Sequence, residues 1–150
     1  RLYFLGAKQE VLDRMLDVFL TRFPHLVVAG SHHGYFKRED EASLAETIRA
    51  TSPDILFVGM GTPAKEYWID RNYVAAGAVV SMGVGGSFDV HSGLVRRAPE
   101  WMQRLGLEWF YRLLQEPRRL WRRYLTTSSI FLGEVFVRTV RRPFVRSGKP

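Results

Sequence analysis

The sequence predicts an α/β fold: a parallel sheet with helices on both faces, followed by a basic, mainly helical C-terminal appendage. Three observations carry that prediction. Four short apolar runs, residues 2–5, 26–29, 55–58 and 78–82, each stop at a glycine. Segments with helical spacing separate them, the pattern of strands joined by crossover helices. After Gly93 the alternation ends and arginine accumulates.

The elements follow in order. Residues 2–5 form a short strand that ends at Gly6. Residues 8–23 carry Val11, Leu12, Met15, Leu16, Phe19 and Leu20 on one helical stripe, and Pro24 ends it. Residues 26–29 make the second strand, stopped by Gly30. Residues 40–51 form a helix whose Leu44 and Ile48 face inward. Residues 55–58 are a third, buried strand. Gly59-Met60-Gly61-Thr62-Pro63 follows, and Pro63 suits the start of a helix running to about residue 75. Residues 78–82 are the fourth strand. Beyond it, residues 100–115 read as one helix with Trp101, Leu105, Trp109 and Leu113 apolar. Pro117 starts another helix through residue 124, and residues 130–140 fit helix or strand. Trp68, Trp101 and Trp109 are expected in the core.

In such a Rossmann-like sheet, ligands bind outside the carboxyl ends of the strands. The glycine-bearing loops at 6, 30–34, 59–61 and 83–86 therefore share one edge. Two regions result: a nucleotide-binding region over residues 1–93 and an appendage over 94–150. The longest uncharged stretch, residues 72–88, is broken by glycines and slightly short for a membrane span, so no transmembrane helix is predicted. The chain has no cysteine, which excludes a disulfide scaffold and thiolate metal sites. It opens with Arg1 inside a strand-like run, as a piece of a longer protein would. The net charge of +7 is uneven: residues 1–92 hold nine Lys/Arg and eleven Asp/Glu, residues 93–150 thirteen and four. That asymmetry points to a polyanionic partner for the C-terminal third.

Several motifs in order carry a resemblance. They are Phe4-Leu5-Gly6-Ala7-Lys8, His33-Gly34-Tyr35-Phe36, Pro53-Asp54-Ile55-Leu56, Gly59-Met60-Gly61-Thr62-Pro63-Ala64-Lys65-Glu66, Gly83-Val84-Gly85-Gly86-Ser87-Phe88-Asp89, Arg97-Ala98-Pro99-Glu100-Trp101 and the run over residues 108–123. With these the chain resembles the bacterial glycosyltransferases of the WecG/TagA/CpsF family, which make cell-surface polymers such as teichoic acid. The resemblance implies transfer of an N-acetylmannosamine-type sugar from a UDP donor to a polyprenyl-diphosphate-linked N-acetylglucosamine. It implies an inverting hexosyltransferase with no metal or other cofactor. It also implies work at the cytoplasmic face of the membrane, touched through the C-terminal appendage. The family's N-terminal half, which carries the proposed general base, has no counterpart in this chain. Glutamine is usual in the family where Lys65 stands.

The candidate site residues follow. Asp89 suits ribose hydroxyls, and the backbone of Gly85, Gly86, Ser87 and Phe88 suits close approach to a nucleoside. Gly61 and Thr62 precede a helix and offer amides to a phosphate, and Lys65 offers a point charge there. Arg112 and Arg119 match the family's functional arginines and take the catalytic role of neutralising the leaving UDP; Arg122 joins them as a substrate contact. A gap of seven residues, as between Arg112 and Arg119, returns a helix to nearly the same face, but Pro117 between them is a point where the helix bends. Arg118, Arg123, Arg141, Arg142 and Arg146, interleaved with Trp121, Tyr124, Phe136 and Phe144, suit an anionic membrane surface. Gly83-x-Gly85-Gly86 lacks the third glycine of a dinucleotide fingerprint, so a dehydrogenase is excluded. His32 and His33, adjacent in a strand, would point to opposite faces. With His25 and His91 scattered, no metal-ligand spacing appears. No DNA-reading motif is present, so nucleic acid is not a predicted partner. A homo-oligomer is compatible with the sequence. The rival function is an inactive, truncated module that keeps UDP and membrane binding.

Overall fold

Tyr3, Phe4 and Leu5 are successive apolar residues, and all three are buried, so their strand must lie between two covered faces. That strand is β1 (Leu2–Gly6) in a computed structural model, which describes residues 1–118, 120 and 121. The sheet is all parallel, in the order β2 (Val28–His32), β1, β3 (Ile55–Gly59), β4 (Val80–Gly83).

Period-two alternation divides the core. Tyr3 and Leu5 of β1 and Leu56 and Val58 of β3 face α2 (Glu41–Ala50) and α3 (Ala64–Ala76). There they meet Leu44, Ala45, Ile48 and Trp68. Phe4 and Phe57 face the other way, toward Val11, Leu12 and Met15 of α1 (Gln9–Arg22) and Phe88 of α4 (Ser87–His91). Each such buried side chain contributes about 1.5–3 kcal/mol. Helices therefore cover both faces, as the sequence predicts. An ion pair joins α2 to α3: Arg71 donates to Glu41 at 2.8 Å, and the Asn72 amide donates to the same carboxylate at 3.2 Å.

Several elements differ from the sequence reading. The second strand runs Val28–His32 rather than over residues 26–29, with Gly30 inside it opposite Tyr3. A Cβ at Gly30 would lie 2.7 Å from the Tyr3 ring, so this glycine makes room for an aromatic instead of ending the strand. The fourth strand starts at Val80 because Gly77 caps α3 in a left-handed conformation, φ 65°. Beyond the glycine loop at 83–86, residues that the sequence pattern leaves unassigned form the short helix α4 (Ser87–His91).

The chain divides into two units, Arg1–Arg96 and Arg97–Pro150. In the second, residues 100–115 are two helices, α5 (Glu100–Arg104) and α6 (Glu108–Gln115). Gly106, at φ 70°, turns the chain between them, and Leu107 N donates to Met102 O. Ala98 and Met102 are buried, whereas Trp101 is 60% exposed and Trp109 48%. The apolar spacing did mark helices, but only Trp68 of the three tryptophans is core. Residues 117, 118, 120 and 121 are helical. The rest of the expected 117–124 helix, and the 130–140 segment, lie outside the described residues.

Candidate active site

The chain leaves β1 for β2 and then returns past β1 to β3, so its direction of winding reverses between β1 and β3. Open α/β sheets bind ligands at that reversal, beyond the strands' carboxyl ends. The register brings Gly6 beside Gly59, and Gly83 beside Val58. Gly6 has φ 143°, and a Cβ on it would lie 2.6 Å from Gly59 Cα. Only glycine serves there, because the two backbones touch. Ala7 N donates to Gly59 O at 3.1 Å, and Gly34 N donates to Ala7 O at 2.9 Å. Three loops are thereby tied together at the reversal point.

The predicted residues of the first unit fall on this edge. Gly61 and Gly85 both face open space, and Gly85 has φ 55°. Thr62 precedes α3, but Pro63 takes the capping position and the Thr62 hydroxyl makes no cap bond. Instead the Lys65 ammonium donates to both Thr62 Oγ1 and Glu66 Oε1. That hydrogen bond holds the Glu66 carboxyl below its ordinary pKa. The Lys65 stem lies across the end of β4, where a Cβ at Gly83 would be 3.1 Å from its Cδ. Lys65 thus ties the start of α3 to the glycine loop.

Gly86 caps α4 and Asp89 lies in its first turn, half-buried. The Ser87 hydroxyl is used internally, donating to Val84 O at 2.8 Å. The sequence reading assigns Phe88 to the ligand through its backbone alone. Its side chain is core, packed edge-on to Phe4 at 6.0 Å and against Gly59. Its ring anchors the loop, leaving only its backbone for a ligand.

The sequence reading missed a cleft. His32, His33, Tyr35, Phe36, Asp40, Ser43, Leu44 and Thr47 enclose about 360 Å³ at the carboxyl end of β2. The strand ends at His32, so strand alternation does not separate the two histidines, contrary to expectation. Their rings lie 4.4 Å apart, and His32 Nδ1 is 2.7 Å from His33 O. The signal was present in His33-Gly34-Tyr35-Phe36, a motif on the glycine-rich edge.

In the second unit, Arg112 is on α6, half-buried. Helix α6 stops at Gln115, and Glu116 has φ −130°, so the helix that carries Arg112 ends just before Pro117, the break the sequence marks. Arg119 and Arg122 lie outside the described residues, as do Arg123, Arg141, Arg142 and Arg146. No helix among the described residues is long and apolar enough to cross a membrane.

Comparison with known proteins decides the family. The model of the glycosyl transferase WecG/TagA/CpsF family matches residues 1–144. The chain belongs to this family. An N-acetylglucosaminyldiphosphoundecaprenol N-acetyl-beta-D-mannosaminyltransferase of Bacillus subtilis (strain 168) is 41% identical over 132 residues, 88% of this chain and 50% of the relative. A protein of the same name from Staphylococcus aureus (strain MW2) is 37% identical over 135 residues, 90% of this chain and 52% of the relative. The chain spans about half the length of these WecG/TagA/CpsF relatives.

Proposed function

We propose that this chain is the nucleotide-binding and C-terminal part of a glycosyltransferase. It moves an N-acetylmannosamine-type sugar from a UDP donor to a polyprenyl-diphosphate-linked N-acetylglucosamine. The observation that carries the reading is the open, glycine-lined carboxyl edge at the winding reversal, in a chain of this family. Gly61 and Gly85 leave room for a ligand against the backbone. Asp89 accepts hydrogen bonds from the ribose hydroxyls, and the backbone at Gly85, Gly86, Ser87 and Phe88 follows the nucleoside. Gly61, Thr62 and Lys65 border the phosphates.

The acceptor hydroxyl attacks the anomeric carbon from the face opposite UDP, so the configuration inverts. The proton it loses goes to a base for which no residue of this chain is assigned. As the bond to UDP breaks, charge grows on the β-phosphate. Arg112 and Arg119 neutralise it, with Arg122 as a further phosphate contact. Their guanidinium groups supply a bidentate positive field, and the reaction proceeds without a metal.

The second unit acts at the cytoplasmic face of the membrane, where the lipid-linked acceptor lies. Its exposed Trp101, Trp109, Phe110 and Trp121 and its excess of arginine support that placement. The half-length match supports a second reading, an inactive module that keeps UDP and membrane binding. Calorimetric titration with UDP, with and without divalent metal, tests the site. Metal-independent binding that Asp89→Ala weakens at least about tenfold is expected; metal-dependent binding, or binding indifferent to Asp89, overturns it. Sugar transfer to the lipid-linked acceptor then separates enzyme from module.

A further inference from the structure

The charge-free stretch over residues 72–88 is not explained by a nucleotide site at its end. It also contains β4, and among the described residues β4 is the outer strand of the sheet. Val80 N donates to Asp54 O at 3.0 Å and Val84 N to Val58 O at 2.9 Å. Alternation along the strand therefore turns the backbone of Val80, Met82 and Val84 toward β3. It turns the N–H and C=O of Ser81 and Gly83 outward. The surface around them is apolar: Val79 is 82% exposed, Met82 50% and Val80 46%. Tyr73 and Val74 of α3 are exposed as well. β4 itself carries no lysine, glutamate or proline, the residues with which natural sheets blunt a free edge; Lys65 of α3 reaches only its end, at Gly83. At the opposite edge every residue of β2 is half-buried.

Helix α3 covers β4 on one face only. On the other face, Val80 and Met82 continue the row of Ile55 and Phe57, and both are exposed there. An added strand followed by a helix would pair the edge and cover this face in one step. The relatives are about twice as long as their match to this chain, so they hold a further half of comparable size.

We infer that β4 is a pairing edge, and that its occupant is a β-strand of the relatives' other half. This rests on family membership and the edge geometry, and is independent of the proposed chemistry.

The test uses the whole chain and, as a separate polypeptide, the half of the Bacillus subtilis relative that it does not match. Circular dichroism first establishes that each is folded. The two are then mixed, sized by chromatography with light scattering, and followed by amide hydrogen exchange. A one-to-one complex is expected, with exchange at Ser81 and Gly83 slowed at least tenfold. Met82→Lys and Ser81→Pro should each weaken it at least tenfold. Proline removes only an outward N–H, so the pairing with β3 survives. Leu20→Lys, at an exposed apolar position on α1, should leave it unchanged. Three results overturn the inference: two folded halves that do not associate, a complex without protection at Ser81 and Gly83, or pairing of this edge with a second copy of the chain instead.

Discussion

Gly59→Ala is the sharpest perturbation of the edge. Gly59 has an ordinary backbone conformation, so alanine costs nothing in φ and gains about 0.4–1 kcal/mol through the unfolded state. Against that, its methyl would lie 2.9 Å from Phe88 Cγ, with two other ring carbons nearer still. Comfortable carbon contacts are about 3.5–4.0 Å, so the ring must retreat by roughly 1 Å. It has little space, because Phe88 is buried with Phe4 edge-on at 6.0 Å. Overpacking of this kind costs about 1–3 kcal/mol. At mid-range the clash wins by about 1.3 kcal/mol, which lowers the melting point of a chain this long by roughly 3–5 °C. Phe88→Leu in the same chain should recover at least about 0.5 kcal/mol as coupling in a double-mutant cycle. Asp89 follows Phe88 directly, so the single variant should also bind UDP more weakly and the double variant should regain affinity. Calorimetry and UDP titration on the four proteins read both effects. Full stability in Gly59→Ala, or strict additivity in the double variant, would refute the packing of α4 on the strand end.

Four further outcomes are expected. Burial alone would raise the Glu41 carboxyl, but hydrogen bonds from Arg71 and Asn72 outweigh it and set its pKa below the usual value. Its stabilisation is therefore present above the unfolded carboxyl value and lost as pH falls through the lower folded one. Glu41→Gln should cost about 1 kcal/mol at pH 7, allowing for the exposure of Arg71, and the gap in urea midpoints should close in acid. Asp89→Ala should weaken UDP binding by about 1.5–3 kcal/mol, roughly 10- to 150-fold by titration. Arg119→Ala should lower turnover of the complete enzyme about 100- to 1,000-fold with unchanged circular dichroism, and unchanged kinetics would remove its role. Arg118→Ala with Arg123→Ala should weaken sedimentation with anionic vesicles by about 2 kcal/mol, roughly thirtyfold.

Much of the fold was legible because burial leaves strong local marks. Leu12, Met15, Leu44 and Ile48 recur at helical spacing, and all are buried. Glycines marked strand ends where backbones touch, as at Gly6 and Gly59, but misled at Gly30, where the constraint comes from Tyr3 on a neighbouring strand. No pattern within residues 26–32 contains that contact. The C-terminal helices were misjudged for a related reason. Apolar spacing shows that a helix has a face, not that the face is covered, and Trp101 and Trp109 are exposed. At the site, the motifs indicated the edge and the residues on it. They did not show that Phe88 points into the core, that Lys65 reaches across to Gly83, or that His32 and His33 border a cleft. Each of those depends on where a side chain meets another element.

Hydrogen exchange of the chain with and without saturating UDP asks most directly whether the glycine-lined rim is the nucleotide site. Slowed exchange at residues 6–8, 59–65 and 83–91 is predicted, with any further protection at the arginine run, residues 112–122. Protection centred on α1 or the amino ends of the strands, with those segments unchanged, would contradict it.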